Sequence, residues 1–464
     1  MGRILESRAF LIAAFVLFAA VTFWTTLHHE IWSDEGDPWL LMRDADLGSI
    51  FRSASNGGVP LLFHWTIFPF ARLGAPPLAM QLLNLMYVWA AVALLFRSTA
   101  FPALVKVLFA FSYFPAFEFA VITRPYGLQM LLTFAMAACW RERREHPVRL
   151  GIIVALLANT STLGLVTAAV AGALLLFERL RTSALAIMIL GGLIAGAQLI
   201  PREGRQQVYQ HVLIADTIAY ALASAFFPDG RINDFVWPAM LVLALVTYGI
   251  SRRALPVLFL WIAGTILMLI YIFIWMGGIR HAGVLLLLVV AAVWIADAYG
   301  PYRNERMMFA GLAVAFAFSI VPAWRAWVSE TKYAFSGSRE VARFIQKNGL
   351  DRDILVSYKM FWTAPLAYLP QAKIWYPAAR RFETYTLWER QDYLRSKMPI
   401  ETVIAEARQQ LRGRRWVLIM NREIPKVEEQ RFRLLFQTQM PIWRVQQERY
   451  WIYEPVERPK PLAE

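Results

Sequence analysis

Charge is scarce in this sequence, and cysteine is nearly absent. Asp, Glu, Lys and Arg make up 17% of the 464 residues, against about 25% in an ordinary soluble domain. The one cysteine, Cys139, sits inside an apolar block. That excludes an intrachain disulfide and leaves no cysteine-built metal site. No Walker-type Gly-x-x-x-x-Gly-Lys-Ser/Thr loop occurs, and no Gly-x-Gly-x-x-Gly follows a strand-like run. An ATP-driven transporter is therefore unsupported. A nucleotide-sugar enzyme with a cytosolic catalytic domain has no room either, because the loops on the arginine-rich side are short. No internal repeat or low-complexity linker is present.

What the chain has instead is apolar length. Hydrophobic residues make up 58% of it, above the about 45–50% of soluble domains. They gather in blocks near the ~20 residues that cross a bilayer core. Spans are expected at about 9–27, 78–96, 101–121, 125–140, 150–160, 162–178, 184–200, 236–250, 255–275, 282–298 and 307–324, eleven in all. The run 60–73 is apolar but short and interrupted by Pro69, so it is read as lying in the interface, within a first external loop 28–77. Ala19 and Ala20 give the first block the small residues of a signal-peptide cleavage region. An uncleaved span is the preferred reading, because the later topology closes only if it stays. Asn159-Thr160-Ser161 matches a glycosylation triplet, but its place at a span end points to chance.

The net charge of +14 is carried by arginines beside the apolar blocks, which is the pattern of cytoplasmic loops and anionic lipid contacts and not of nucleic-acid binding. One side collects Arg3, Arg8, Arg97, Arg141, Arg143, Arg144, Arg149, Arg179, Arg181, Arg252, Arg253, Arg303 and Arg306. The other receives the acidic segment 30–46, the long loop 201–235 and everything after the last span, with Arg202, Arg205, Arg231 and Arg280 as exceptions. The expected fold is a polytopic α-helical membrane domain, 1–328, followed by a soluble extracytoplasmic α/β domain, 329–464. In the second, 336–347 and 401–411 read as helices, 353–357 and 416–420 as strands, and the alternating 443–453 as an edge strand.

Three stretches on the external side carry candidate chemistry. Asp34 and Glu35 follow the first span. A carboxylate there can take a proton from an acceptor hydroxyl or amine, or hold a divalent cation (Mg or Mn) against a phosphate leaving group. A solvated acidic loop explains the same residues. Thr123-Arg124-Pro125-Tyr126-Gly127 opens a span with a guanidinium fork suited to phosphate and an interfacial ring. Simple interfacial anchoring is the competing account. Gly277-Gly278-Ile279-Arg280-His281 pairs backbone freedom with a cation and a titratable donor at membrane depth, against a snorkelling arginine beside a turn. His64 in the apolar run 60–73 is a candidate substrate contact or a core histidine. Glu118 lies within a span and needs a partner, for which Arg124 is the candidate. Arg202, Glu203, Arg205 and Asp229 touch an acceptor or belong to a solvated loop.

Taken together, these residues resemble the GT-C superfamily of membrane glycosyltransferases, closest to the protein O-mannosyltransferase and aminoarabinose-transferase type. Asp34-Glu35 stands where that family has its acidic motif, and Pro60-Leu61-Leu62-Phe63-His64-Trp65 resembles the Pro-Pro-Leu-x-x-Trp segment that follows. Arg124-Pro125-Tyr126 and Arg280-His281 resemble motifs at an early span and near the lipid-phosphate site, and Ser336 to Phe344 resembles the start of the tail domain. The chain departs from the pattern at Val59, where many relatives carry a lysine. The phosphate role then falls to Arg124, Arg280 or His64.

The resemblance implies an inverting transferase that takes a polyprenyl-phosphate-linked sugar to a glycan, lipid or protein acceptor at the outer face of a bacterial cytoplasmic membrane. Asp34 would be the base and Glu35 its positioning or cation-holding neighbour. Arg124, Tyr126, Arg280 and His281 would bind donor phosphate. A lipid-linked sugar flippase, or a non-catalytic subunit of an envelope polysaccharide machine, are the alternatives. The inverted repeats common in transporters are not evident.

Overall fold

A computed structural model describes residues 7–200, 214–275, 277–357, 364–377, 380–389, 394 and 397–456. Arg3, Arg202, Glu203 and Arg205, named above, lie outside the described residues. The helices run in chain order as α1 Arg8–His28, α2 Ser33–Asp44, α3 Leu47–Gly57, α4 Leu62–Arg72, α5 Leu78–Arg97, α6 Ala103–Ala110 and α7 Tyr126–Cys139. They continue as α8 Pro147–Ala158, α9 Thr162–Phe177, α10 Thr182–Leu199, α11 Ile214–Phe226, α12 Ile232–Ile250, α13 Ala254–Phe273, α14 Ile279–Asp297 and α15 Glu305–Lys332.

Among the described residues, seven helices are long and apolar enough to cross a membrane: α1, α5, α10, α12, α13, α14 and α15. The chain is thus a helical membrane protein. The expected count of eleven spans is not reached at full length, since α7, α8 and α9 are apolar but have only 14, 12 and 16 residues. The expected span 101–121 is not one helix. It is the eight-residue α6, opened by Pro102 at its N-cap, followed by a π-helical turn, Phe114–Glu118, where Pro115 removes a backbone donor. The loop 201–235 holds an unforeseen apolar helix, α11. In the first external segment α2, α3 and α4 have 12, 11 and 11 residues. At ~1.5 Å per residue they are too short to span a ~30 Å core.

Hydrogen bonds sort the helix ends. At one end Arg141 pairs with Asp297 at 2.7 Å, Arg143 donates to Glu178 at 3.0 Å, and Arg303 N donates to Gly249 O at 2.8 Å. The other end gathers α2, the turns before α7 and α14, and the C-terminal domain. The axis of the bundle is α14. Every residue from His281 to Ala296 is buried, as an all-apolar helix requires, and its first turn carries Arg280 and His281.

Helix α15 runs on to Lys332, past the expected domain boundary at 328, and enters the C-terminal domain directly. That domain adds α16 Ser338–Lys347, the short α17 Ala364–Ala367 and α18 Ile400–Gln410 to six strands. These are β1 Ile354–Ser357, β2 Ile374–Tyr376, β3 Arg381–Glu383, β4 Trp416–Met420, β5 Phe432–Gln437 and β6 Trp451–Pro455, in the order β3-β2-β1-β4-β6-β5. β1 pairs in parallel with β2 and β4, and the other pairings are antiparallel. The expected edge strand 443–453 is corrected on both counts. Only Trp451–Pro455 is strand, and it lies inside the sheet between β4 and β5.

Close helix crossing tests this packing. A Cβ at Gly191 in α10 would sit 2.4 Å from Ala155 Cβ in α8, whereas one at Gly192 meets nothing within 4 Å. Gly191→Ala is expected to destabilise by about 1–3 kcal/mol through overpacking. Gly192→Ala should be neutral or slightly stabilising. Paired melting curves in detergent check both.

Candidate active site

Asp34 and Glu35 are neighbours in the first turn of α2, about 100° apart around its axis. That step sends them to different environments. Glu35 is fully buried, with Oε2 2.8 Å from His29 Nε2 and Oε1 accepting from Thr123 N at 2.5 Å. His29 is equally buried and meets Glu330 Oε1 through Nδ1 at 2.9 Å. The imidazole therefore bridges the end of α1, the start of α2 and the end of α15. Burial opposes its protonation, but the two carboxylates outweigh that and push His29 up to about 10. It is an imidazolium at neutral pH.

Asp34 faces outward with 36% of its side chain exposed. Arg280 Nη1 lies 3.3 Å from Asp34 Oδ2, and Arg124 donates through Nη1 to the Asp34 backbone oxygen. Arg280 also lies 3.5 Å from Glu118 and 5.0 Å from the Trp32 ring centroid. The partner of buried Glu118 is thus Arg280 and not Arg124. Tyr113 OH donates to the second Glu118 oxygen at 2.8 Å, and Arg444 donates to the Tyr113 oxygen at 3.3 Å. Asp229, the one described member of the loop group, lies near enough for its charge to act on Arg444.

Tyr126 and His281 engage each other. Gly278 N donates to His281 Nδ1 at 2.8 Å, which leaves the ring hydrogen on Nε2, 2.7 Å from the Tyr126 oxygen. Both imidazole nitrogens are therefore occupied, and the pair offers a ligand only the Tyr126 hydroxyl hydrogen. His64, on α4, lies near enough to Arg124 for that charge to act on its ring. Its Nδ1 and the Nε of Arg124 are buried and have no hydrogen-bond partner among the described residues. Burial and the Arg124 charge push His64 down to about 4, so it is neutral at pH 7.

The C-terminal domain holds this end of the bundle through polar contacts to one short segment. Arg339 donates to His29 O at 2.6 Å, Ile31 N to Tyr368 OH at 2.9 Å, and Ser33 N to Glu448 Oε1 at 2.8 Å. Asp37 accepts from Thr386 N at 2.9 Å and Trp388 Nε1 at 3.1 Å. Gly36 permits the close approach, because a Cβ there would stand 3.1 Å from Ala364 Cα. Burial pushes Glu30 and Glu448 up to about 7 and Asp37 up to about 6.

Sequence reasoning found Asp34, Glu35, Arg124, Tyr126, Arg280 and His281, and all six meet at this end. It missed His29, Glu330, Arg444 and Glu448. Glu330 carried a readable signal, a carboxylate inside the helix that continues the last span. The tail residues carried none. Among the described residues, no group of three or more His, Cys, Asp or Glu side chains is disposed to hold a metal ion. Asp34 and Glu35 in particular do not fit a shared cation, because both Glu35 oxygens are taken by Thr123 and His29.

Two outcomes follow. His29→Gln leaves two buried carboxylates without their cation, and should cost about 3–5 kcal/mol, read as a large fall in the detergent melting temperature. The pKa of Glu448 is raised in the folded state. Its protonated form therefore contributes stability that is complete below the unfolded value and is lost as pH rises through about 7. Glu448→Gln should gain on the wild type between pH 5 and 8, by on the order of 3 kcal/mol. Melting at stepped pH checks it.

No protein-family model matches the chain, and a search of curated proteins finds no match.

Proposed function

We propose that the chain is an inverting GT-C-type glycosyltransferase that moves a sugar from a polyprenyl-phosphate donor to an envelope glycan, lipid or protein, at the outer face of the cytoplasmic membrane. The observation that carries the reading is one partly exposed residue, Asp34, met by arginines from two distant segments, Arg280 at its carboxylate and Arg124 at its backbone oxygen, at one end of a membrane-crossing bundle. Arginines at the opposite end support the assignment of that end to the cytoplasm, and so of the C-terminal domain to the outside.

Asp34 takes the proton of the acceptor O–H or N–H as that atom bonds to the anomeric carbon. The bond from this carbon to the phosphate oxygen breaks on the opposite face, and its electron pair leaves with the phosphate. Arg124 and Arg280 stabilise the charge that grows there. At rest Arg280 is shared by Asp34 and Glu118. An arriving phosphate competes for the same guanidinium, and its success frees the Asp34 carboxylate to face the acceptor. The Tyr126 hydroxyl, backed by His281, is a further phosphate donor. Glu35 holds α2 in place and takes no part in proton transfer.

The test is transfer from labelled polyprenyl-phosphate sugars to envelope acceptors by the purified protein in nanodiscs. Asp34→Asn should lower the rate about 10²–10⁴-fold, the usual worth of a positioned base. Arg280→Lys, which keeps charge but loses the fork, should lower it about tenfold or more. Equal transfer by Asp34→Asn and wild type would remove Asp34 from the chemistry. Absence of transfer across the full set of donors and acceptors would overturn the enzyme reading.

A further inference from the structure

A segment of the C-terminal domain that the proposed chemistry does not use is seated against the site. Residues 441–448 leave the sheet and run along the end of the bundle. Ala334 N donates to Pro441 O at 3.0 Å, Trp443 N to Ala334 O at 3.0 Å, and Val445 N to Phe335 O at 3.1 Å. The Trp443 ring lies 5.7 Å from that of Phe335 and 5.8 Å from that of Phe117, and Val445 is buried in the core of the bundle. This seat fixes two side chains four residues apart.

The first, Arg444, begins an unbroken run of contacts that ends on Asp34. Arg444 to Tyr113 is 3.3 Å, Tyr113 to Glu118 2.8 Å, Glu118 to Arg280 3.5 Å, and Arg280 to Asp34 3.3 Å. The second, Glu448, accepts from Ser33 N at 2.8 Å, one residue before Asp34, and from Ser336 Oγ at 2.6 Å. We infer that segment 441–448 is the positioning element of the site: Glu448 sets where α2 begins, and Arg444 sets how Arg280 is divided between Glu118 and Asp34. Two carboxylates compete for one guanidinium. Glu118 is weakened in that competition while Tyr113, held by Arg444, donates to its other oxygen and the Arg444 charge stands close by. Without Arg444, Glu118 draws Arg280 away from Asp34. Neither tail residue touches the reacting atoms, so both are positioning residues. The inference rests on Asp34 being the reacting carboxylate of the proposed transferase.

The experiment compares wild type, Arg444→Gln, Arg444→Lys and Tyr113→Phe as full chains in nanodiscs, with two readouts. In sugar transfer, Arg444→Gln should lower kcat roughly tenfold with KM for the donor within about threefold, and Arg444→Lys should restore most of it. In amide hydrogen exchange, Arg444→Gln should speed exchange in segments 30–36 and 113–124 while the strands of the C-terminal domain stay as protected as in the wild type. Wild-type values in both readouts for Arg444→Gln would overturn the proposal. If that variant exchanges faster everywhere, Tyr113→Phe decides. The same local pattern upholds the inference, and wild-type behaviour overturns it. Absence of transfer by the wild type with every donor would overturn the transferase reading alone, and the exchange pattern would then judge the positioning role by itself.

Discussion

The site depends on one buried imidazolium. His29 lies between Glu35 and Glu330 with no exposure to solvent, and each carboxylate comes from a different element. Taking either ion out of water alone would cost several kcal/mol. The arrangement stands only because all three groups are present together. It ties the end of the first span to the end of the last, and it fixes α2 between them. The position of Asp34 is a consequence: the next residue along, Glu35, is locked by His29 on one oxygen and by the Thr123 amide on the other.

A second layer of charge is built on that anchor under a looser rule. Arg280 stands at the head of α14, the most buried helix of the bundle, and meets both Asp34 and Glu118. A fully matched arginine would be a structural ion pair and little more. Here one of its two partners is partly exposed, and the neighbouring Arg124 has a buried Nε with no partner among the described residues. Buried polar atoms are nearly always paired, so an unpartnered buried Nε beside a partly exposed carboxylate supports the proposed phosphate contact. The contrast with the opposite end is instructive. There Arg143, Glu178 and Tyr299 close on one another.

Much of the membrane architecture was legible because hydropathy has one dominant cause, the need to match a bilayer core. The ends of the spans were legible for the same reason, since ionisable residues are expensive there and stand out. That is how Asp34, Arg124 and Arg280 could be picked from 464 residues. Continuity of the spans was less legible, because 101–121 is mostly apolar and the backbone chemistry of Pro115 helps to divide it into α6 and a π turn. Partners were the least legible. Glu118 was matched to Arg124, six residues away, when it pairs with Arg280 across the bundle. Sequence distance says little about neighbours in a bundle with this many passes. The four missed residues share that fault: each acts through a contact over 100 residues distant, except His29 with Glu35.

The pair Asp34-Glu35 shows how little sequence separates two roles. Both are carboxylates, adjacent in one helical turn, and a motif cannot rank them. The helix does so by rotating successive residues through about 100°. One side chain is turned into the junction of α1, α15 and the turn before α7, fully buried and with both of its oxygens partnered. The other is partly exposed, and among the described residues Arg280 is the one side chain that contacts its carboxylate. A group that must exchange partners during a reaction has to be the second kind. A group that must hold a geometry while its neighbour reacts has to be the first. The division of labour is set by burial and not by residue type, and it follows from the direction in which the chain enters α2, which His29 and Glu448 fix from opposite sides.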